Sequence, residues 1–164
     1  SLSLAAMLFY IWIRFEWQFS LGAIVALIHD VIITLGIFSF LSYEVNLSIV
    51  AAVLTIVGYS MNDTVVIFDR VRENLKKYTK ISITEISDLS TNQTLSRTLI
   101  TSVTTLLALF SIYIFGGAIL KGFSFAMIIG VIVGTYSSIF VATPILNYTK
   151  VNQKTILKED KENN

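Results

Sequence analysis

The sequence contains no cysteine, one proline and one histidine. Without cysteine there is no disulfide, no thiolate metal site and no cysteine nucleophile. Charge is scarce as well: 14% of residues are Asp, Glu, Lys or Arg, against about 25% in an average soluble domain. The net charge is +1, and this near-neutral balance argues against a nucleic-acid partner, which would demand a basic excess. No phosphate-cradling glycine loop and no Ser/His/Asp arrangement occurs, so any energy source has to be an ion gradient or a partner protein. Hydrophobic residues are what the chain has in abundance. They make up 54% of its 164 residues, and the mean hydropathy is +0.74. A soluble globule of this size has no interior for so much apolar surface, which predicts an all-α, polytopic transmembrane helical bundle.

A helix needs about 20 mainly apolar residues to cross a bilayer core of roughly 30 Å. The stretches Ser20–Leu41, Leu47–Phe68, Thr98–Phe115 and Phe123–Leu146 meet that length, giving spans over 20–41, 47–69, 91–116 and 122–146 once their polar ends are added. Leu2–Ile13 supplies only about twelve apolar residues, or ~18 Å of helix. The chain also opens on Ser1 rather than methionine, so this stretch reads as the end of a fifth helix, over 1–13, cut by a fragment boundary. The bundle is thus expected over 1–147, with a polar, disordered tail over 148–164.

Basic residues orient the spans. Arg14, then Arg70, Arg72, Lys76, Lys77 and Lys80, then Lys150, Lys154, Lys158 and Lys161 fall on one side. Lys121 falls on the other, and Arg97 sits at a helix entrance. Cytoplasmic loops collect Lys and Arg, so the segment after Phe68 and the C-terminal tail are expected in the cytoplasm and Ser1 outside. Tyr43–Asn46 and Gly116–Gly122 read as tight outer turns. The cytoplasmic link 70–96 is long. Its Ile81, Ile83, Ile86 and Leu89 suggest a helix lying on the headgroups, with a solvated linker as the alternative. Ser90 and Gln93 have the spacing of a capping box and would start the next helix.

Ionisable residues inside a span cost at least ~2.5–3.5 kcal/mol and are functional candidates by default. His29 and Asp30 lie mid-span, Asp63 follows Asn62 in the next span, and Arg97 opens a helix rich in Ser and Thr. The bland readings are a neutral core histidine bonded to a neighbouring helix, a protonated Asp30 joining helices, and a structural Asp63–Arg97 ion pair. The functional reading is ion or proton translocation. A metal site fits poorly, because adjacent helix positions point their side chains ~100° apart. Gly122, Ala126, Gly130, Gly134, Ser138 and Ala142 recur every four positions along the last span, and Ala51, Thr55, Gly58 and Asn62 make a comparable stripe. Small residues at this spacing let helix backbones approach closely.

The string Gly58 to Asn74, GYSMNDTVVIFDRVREN, resembles the signature of the SecF family of bacterial SecDF protein-export complexes. Asn92 to Thr98 (NQTLSRT), Gly130 to Ser138 with its GxxxGTYSS pattern, Arg14 to Trp17 and His29-Asp30-Val31 agree with the same family. Together they span Ile11–Pro144 in order. The resemblance implies the membrane half of a resistance-nodulation-division-type protein, limited here to the last five helices with the first one truncated. It implies a subunit of the bacterial inner membrane that uses a proton or sodium gradient, with no other cofactor, to promote preprotein export. Implied partners are SecD, the SecYEG translocon, YajC, YidC, the translocating preprotein and membrane lipids. Asp63 and Arg97 match the family's conduction residues, with Asn62 and Asp30 as further candidates, and Gly58, Gly130, Gly134 and Ser138 as packing residues. Two alternatives remain: a small-molecule or lipid exporter of the same superfamily, and a structural assembly subunit without an ion path.

Overall fold

The computed structural model describes residues 17–43, 46–78, 80–149 and 151, and among them there are helices and turns but no strand. Helices long and apolar enough to cross a membrane are α1 (Trp17–Phe40), α2 (Leu47–Lys77), α3 (Ile83–Phe115) and a fourth running from Gly117 to Tyr148. That fourth helix consists of α4 (Gly117–Ser137), a π-helical turn (Ser138–Ala142) and the short α5 (Thr143–Tyr148). The transmembrane all-α class is the one expected. The truncated helix over 1–13 and the Arg14–Glu16 part of the first turn lie outside the described residues. So does the tail beyond 151.

Two expected boundaries are wrong for one shared reason. The link 70–96 does not exist as such: α2 continues to Lys77 and α3 begins at Ile83. An apolar run marks where the membrane ends, not where the helix ends. Both helices persist beyond the run because their polar extensions pack on each other. Val71, Asn74 and Leu75 on α2, and Ile86, Ser87, Ser90 and Thr94 on α3, are all buried. The Asn74 amide donates to Ser90 Oγ at 2.8 Å and to Gln93 Oε1 at 2.9 Å, and Arg70 Nε donates to Gln93 Oε1 at 2.6 Å. Ser90 and Gln93 therefore bridge two helices rather than cap one. The capping box is Ser82 with Glu85, each side chain bonded to the other's backbone N–H, the reciprocal arrangement that satisfies orphan donors at a helix start. Neither an interfacial helix nor a free linker separates α2 from α3.

The turn expected over Gly116–Gly122 is shorter than that. Gly116 caps α3 and α4 starts at Gly117, whose φ of +75° is a conformation that a residue with a Cβ adopts at a cost. At the other end Tyr148 still belongs to α5, and Val151 is buried, so the polar tail expected from 148 starts later.

α4 packs against α1, α2 and α3, with its most extensive contact to α2. Two apolar clusters fill the bundle. One joins Phe19, Ala23, Met61, Phe68, Val71, Ile86 and Leu146; the other joins Phe38, Ile49, Ile56, Leu109, Ala126 and Val131. Phe19 meets Phe68 edge to face at 5.3 Å. Outward faces carry exposed Ile28, Ile32, Leu107, Ile114 and Ile119, suited to lipid tails, which are as apolar as leucine. Helix association then rests on close packing and on interhelical hydrogen bonds.

Candidate functional site

Asp30, on α1, is fully buried. Its Oδ2 accepts hydrogen bonds from Ser60 Oγ on α2 and from Ser137 Oγ at the end of α4, the latter at 2.8 Å. Its Oδ1 lies 3.0 Å from Nδ1 of the partly exposed His29. One carboxylate thus ties three helices together, and every contact is one that a buried acidic group needs to offset its desolvation. Among the described residues His29 bonds to its neighbour on the same helix rather than to a neighbouring helix. Its ring leans onto Asp30 despite the ~100° between adjacent positions.

One turn along, Thr64 Oγ1 and Ser138 Oγ meet at 2.9 Å, and Ser138 Oγ also donates to the Gly134 carbonyl at 2.9 Å. Ser138 opens the π-helical turn, and Thr143 Oγ1 donates to its carbonyl at 3.0 Å. The widened turn precedes Pro144, which has no N–H to give to the carbonyl four residues back. The close approach of α4 to α2 runs through glycines: a Cβ on Gly130 would stand 2.2 Å from Ile56 Cγ1, and one on Gly134 3.1 Å from Ser60 Cβ. Gly122 faces open space, so the stripe read along this helix makes contact only over its later part.

Asp63 follows Ser60 by one turn of α2 and is 4% exposed. Its Oδ2 is buried without a hydrogen-bond partner among the described residues. Arg97 on α3, itself exposed, acts on this carboxylate through its charge across the α2–α3 contact. The structural ion pair expected between them is not formed: no hydrogen bond or ion pair joins Arg97 to Asp63 in the structure, and only the longer-range field of the guanidinium reaches the carboxylate. Beside Arg97 opens a cleft of about 310 Å³ lined by Asp69, Arg70, Glu73, Gln93 and Thr94. It leads toward the bundle end that carries Lys76 and Lys77. Arg70 closes one wall by its 2.6 Å ion pair with Glu73.

Asn62 is not part of this cluster. It is exposed, as are Ala51 and Thr55, with Gly58 half-buried. That stripe faces out of the described bundle instead of packing within it. The hydroxyls of Ser60 and Ser137 were the part of the site that composition alone hid. Small hydroxylated residues at this spacing read as packing until a buried carboxylate is seen to need their protons.

The Protein export membrane protein SecD/SecF C-terminal family model matches residues 1–152. The protein translocase subunit SecF of Rickettsia bellii is 58% identical over 144 residues, covering 88% of this chain and 48% of that protein. The SecF subunit of Cereibacter sphaeroides is 51% identical over 152 residues, covering 93% and 47%. Among solved structures, SecDF in its super-membrane-facing form superposes with a TM-score of 0.85 at 42% identity, covering 96% of this chain and 21% of that one. SecDF from Thermus thermophilus, described as translocon-associated, gives 0.86 at 44% identity, covering 90% and 20%. The chain spans about half the length of the curated relatives it matches. By the match over nearly its whole length, the chain belongs to the SecD/SecF C-terminal family of protein export membrane proteins.

Proposed function

We propose that the chain is the ion-coupled membrane part of a SecF subunit, using a proton gradient to promote preprotein export across the bacterial inner membrane. The observation that carries this reading is Asp63: a buried carboxylate oxygen with no partner among the described residues, under the field of Arg97, which itself lines the cleft with Asp69, Arg70 and Glu73. A structural carboxylate looks different, and Asp30 supplies the comparison within the same chain, because all its contacts are made. Arginine stays charged in proteins, so the proton comes and goes on Asp63. Its arrival removes the carboxylate charge that Arg97 faces across the α2–α3 contact and biases the two helices toward another arrangement. One charge crossing 100 mV is worth ~2.3 kcal/mol, about a fiftyfold shift in a two-state equilibrium at ~1.4 kcal/mol per factor of ten.

SecD is the proposed partner, seated on the outward stripe of α2. Ala51, Thr55 and Gly58 leave room for a second backbone, and exposed Asn62 needs an amide partner at this depth. Through the complete complex the partners extend to the SecYEG translocon and the preprotein, with YajC and YidC as accessory proteins. The end bearing the α2–α3 turn faces the cytoplasm, where Lys76, Lys77 and Lys80 satisfy the bias of inward loops toward positive charge. The test is preprotein translocation by the full-length complex in energised inverted vesicles. Asp63→Asn is expected to abolish the gradient-dependent part of export while leaving complex recovery unchanged. Export that still responds to the gradient would assign Asp63 to assembly.

A further inference from the structure

Side-chain direction explains why Arg97 and Asp63 influence each other without bonding. In a helix every Cα–Cβ bond tilts toward the N-terminus. α2 and α3 are antiparallel: Asn74 pairs with Ser90, and earlier along α2 Arg70 pairs with Gln93, later along α3. Their tilts are therefore opposed. Asp63 leans toward Tyr59, while Arg97 leans toward Gln93, which its bond to Arg70 sets about two turns of α2 beyond Asp63. The guanidinium is carried away from Asp63 and into the cleft of about 310 Å³ that Arg97 lines with Asp69, Arg70, Glu73, Gln93 and Thr94.

Glu73 approaches the same level from the other direction, because its own tilt on α2 brings it back toward Asp69 and Arg70. It is engaged there: Arg70 Nη1 donates to Glu73 Oε2 at 2.6 Å. The two side chains are 36% and 63% exposed. An ion pair so exposed contributes little, and a second cation in the same cleft can replace the first. Arg97 is that cation, since among the described residues no ion pair holds it. Few other charges compete. Asp69 is engaged as well, and Asp30 and His29 on α1 bond to each other. Lys121, the one charged residue of α4, lies near the start of that helix, toward the other end of the bundle.

We propose that Arg97 exchanges between two carboxylates: ionised Asp63 draws it inward, and when Asp63 carries the proton it pairs with Glu73 and displaces Arg70. Arg70 then keeps its bond to Gln93 and turns Nη1 to water. Glu73 is a positioning residue in this scheme. It takes no proton, and it carries the event at Asp63 out of the span to the polar extensions of α2 and α3. The inference rests on the reading of Asp63 as the proton carrier.

The test treats the full-length complex in detergent with phenylglyoxal, which modifies accessible guanidinium groups, and follows Arg70 and Arg97 by mass spectrometry of their peptides. Asp63→Asn stands for the protonated state. Relative to the unmodified complex, it is expected to slow labelling of Arg97 at least fivefold and to speed that of Arg70 at least threefold. Adding Glu73→Gln should return Arg97 to within twofold of its original rate. Equal Arg97 rates in the unmodified and Asp63→Asn complexes, or slowing that survives Glu73→Gln, overturns the exchange. Proton flux separates this failure from failure of the underlying reading. Flux stopped by Asp63→Asn with unshifted labels refutes the exchange alone, whereas flux that continues refutes Asp63 as carrier. As a second measurement, Glu73→Gln by itself, at an exposed position, should lower gradient-dependent export at least threefold with complex recovery unchanged. Undiminished export would also overturn the exchange.

Discussion

Gly130 is the point at which α4 comes closest to the side chains of α2, and adding one methyl group there measures how much that approach matters. A Cβ on Gly130 would lie 2.2, 2.3 and 2.8 Å from Ile56 Cγ1, Cδ1 and Cγ2. Ile56 is 1% exposed, and as a β-branched residue in a helix it has one strongly preferred χ1. It can neither rotate away nor swing into lipid, so the helices must separate. Overpacking of this kind costs ~1–3 kcal/mol. Gly134→Ala is the internal control: its Cβ would meet Ser60 Cβ at 3.1 Å, which a shift of a few tenths of an ångström relieves. Gly130→Ala is therefore expected to lower unfolding stability in mixed micelles by ~1–3 kcal/mol, and Gly134→Ala by distinctly less. Ile56→Ala alone should cost ~2–5 kcal/mol for the cavity it leaves. Combined with Gly130→Ala it should cost less than the sum, with a coupling of ~0.5–3 kcal/mol, because the new methyl occupies part of that cavity. Strict additivity of the two changes, or a larger effect at Gly134 than at Gly130, would refute the packing argument.

Asn74→Ala removes the bridge from α2 to Ser90 and Gln93; hydrogen exchange in the extensions 70–77 and 83–93 should rise at least tenfold, and unchanged protection would mean that apolar contacts alone hold them. Asp30→Asn keeps an acceptor for Ser60 or Ser137, whereas Asp30→Leu leaves both hydroxyls without one, at about 1–3 kcal/mol for each. The leucine variant should be recovered in much lower yield, and equal yields would deny Asp30 its joining role. A cysteine replacing Lys77 should react with an impermeant maleimide from the cytoplasmic side, and one replacing Lys121 from the outer side; the reverse pattern would invert the proposed orientation.

Much of this fold is written in hydropathy. The spans around 20–41 and 47–69 are long, mainly apolar and bounded by polar residues, so their existence and order could be read directly. Their ends could not, because hydropathy reports the bilayer boundary while helix length depends on tertiary partners. The run Arg70–Lys77 resembles loop until Asn74 and Leu75 are seen buried against Ile86 and Ser90. The carboxylates at 30 and 63 stood out by their cost in a membrane, but their different roles did not. Only packing brings Ser60 and Ser137 to Asp30 and leaves Asp63 Oδ2 without a partner. Asn62 shows the same limit from the other side: adjacent in sequence to Asp63, it faces away from the bundle because neighbouring helix positions diverge by ~100°.

Asp63 is the proposed carrier of the proton, and proton flux tests that role most directly. Full-length complex is reconstituted in liposomes loaded with a pH-sensitive dye, and acidification is followed after a membrane potential is imposed. The unmodified complex should conduct protons. Asp63→Asn, which preserves size and hydrogen-bonding capacity but cannot exchange a proton at this position, should reduce the rate to that of protein-free liposomes. Flux through the Asp63→Asn complex at the rate of the unmodified one would place the proton path elsewhere and leave Asp63 a structural residue.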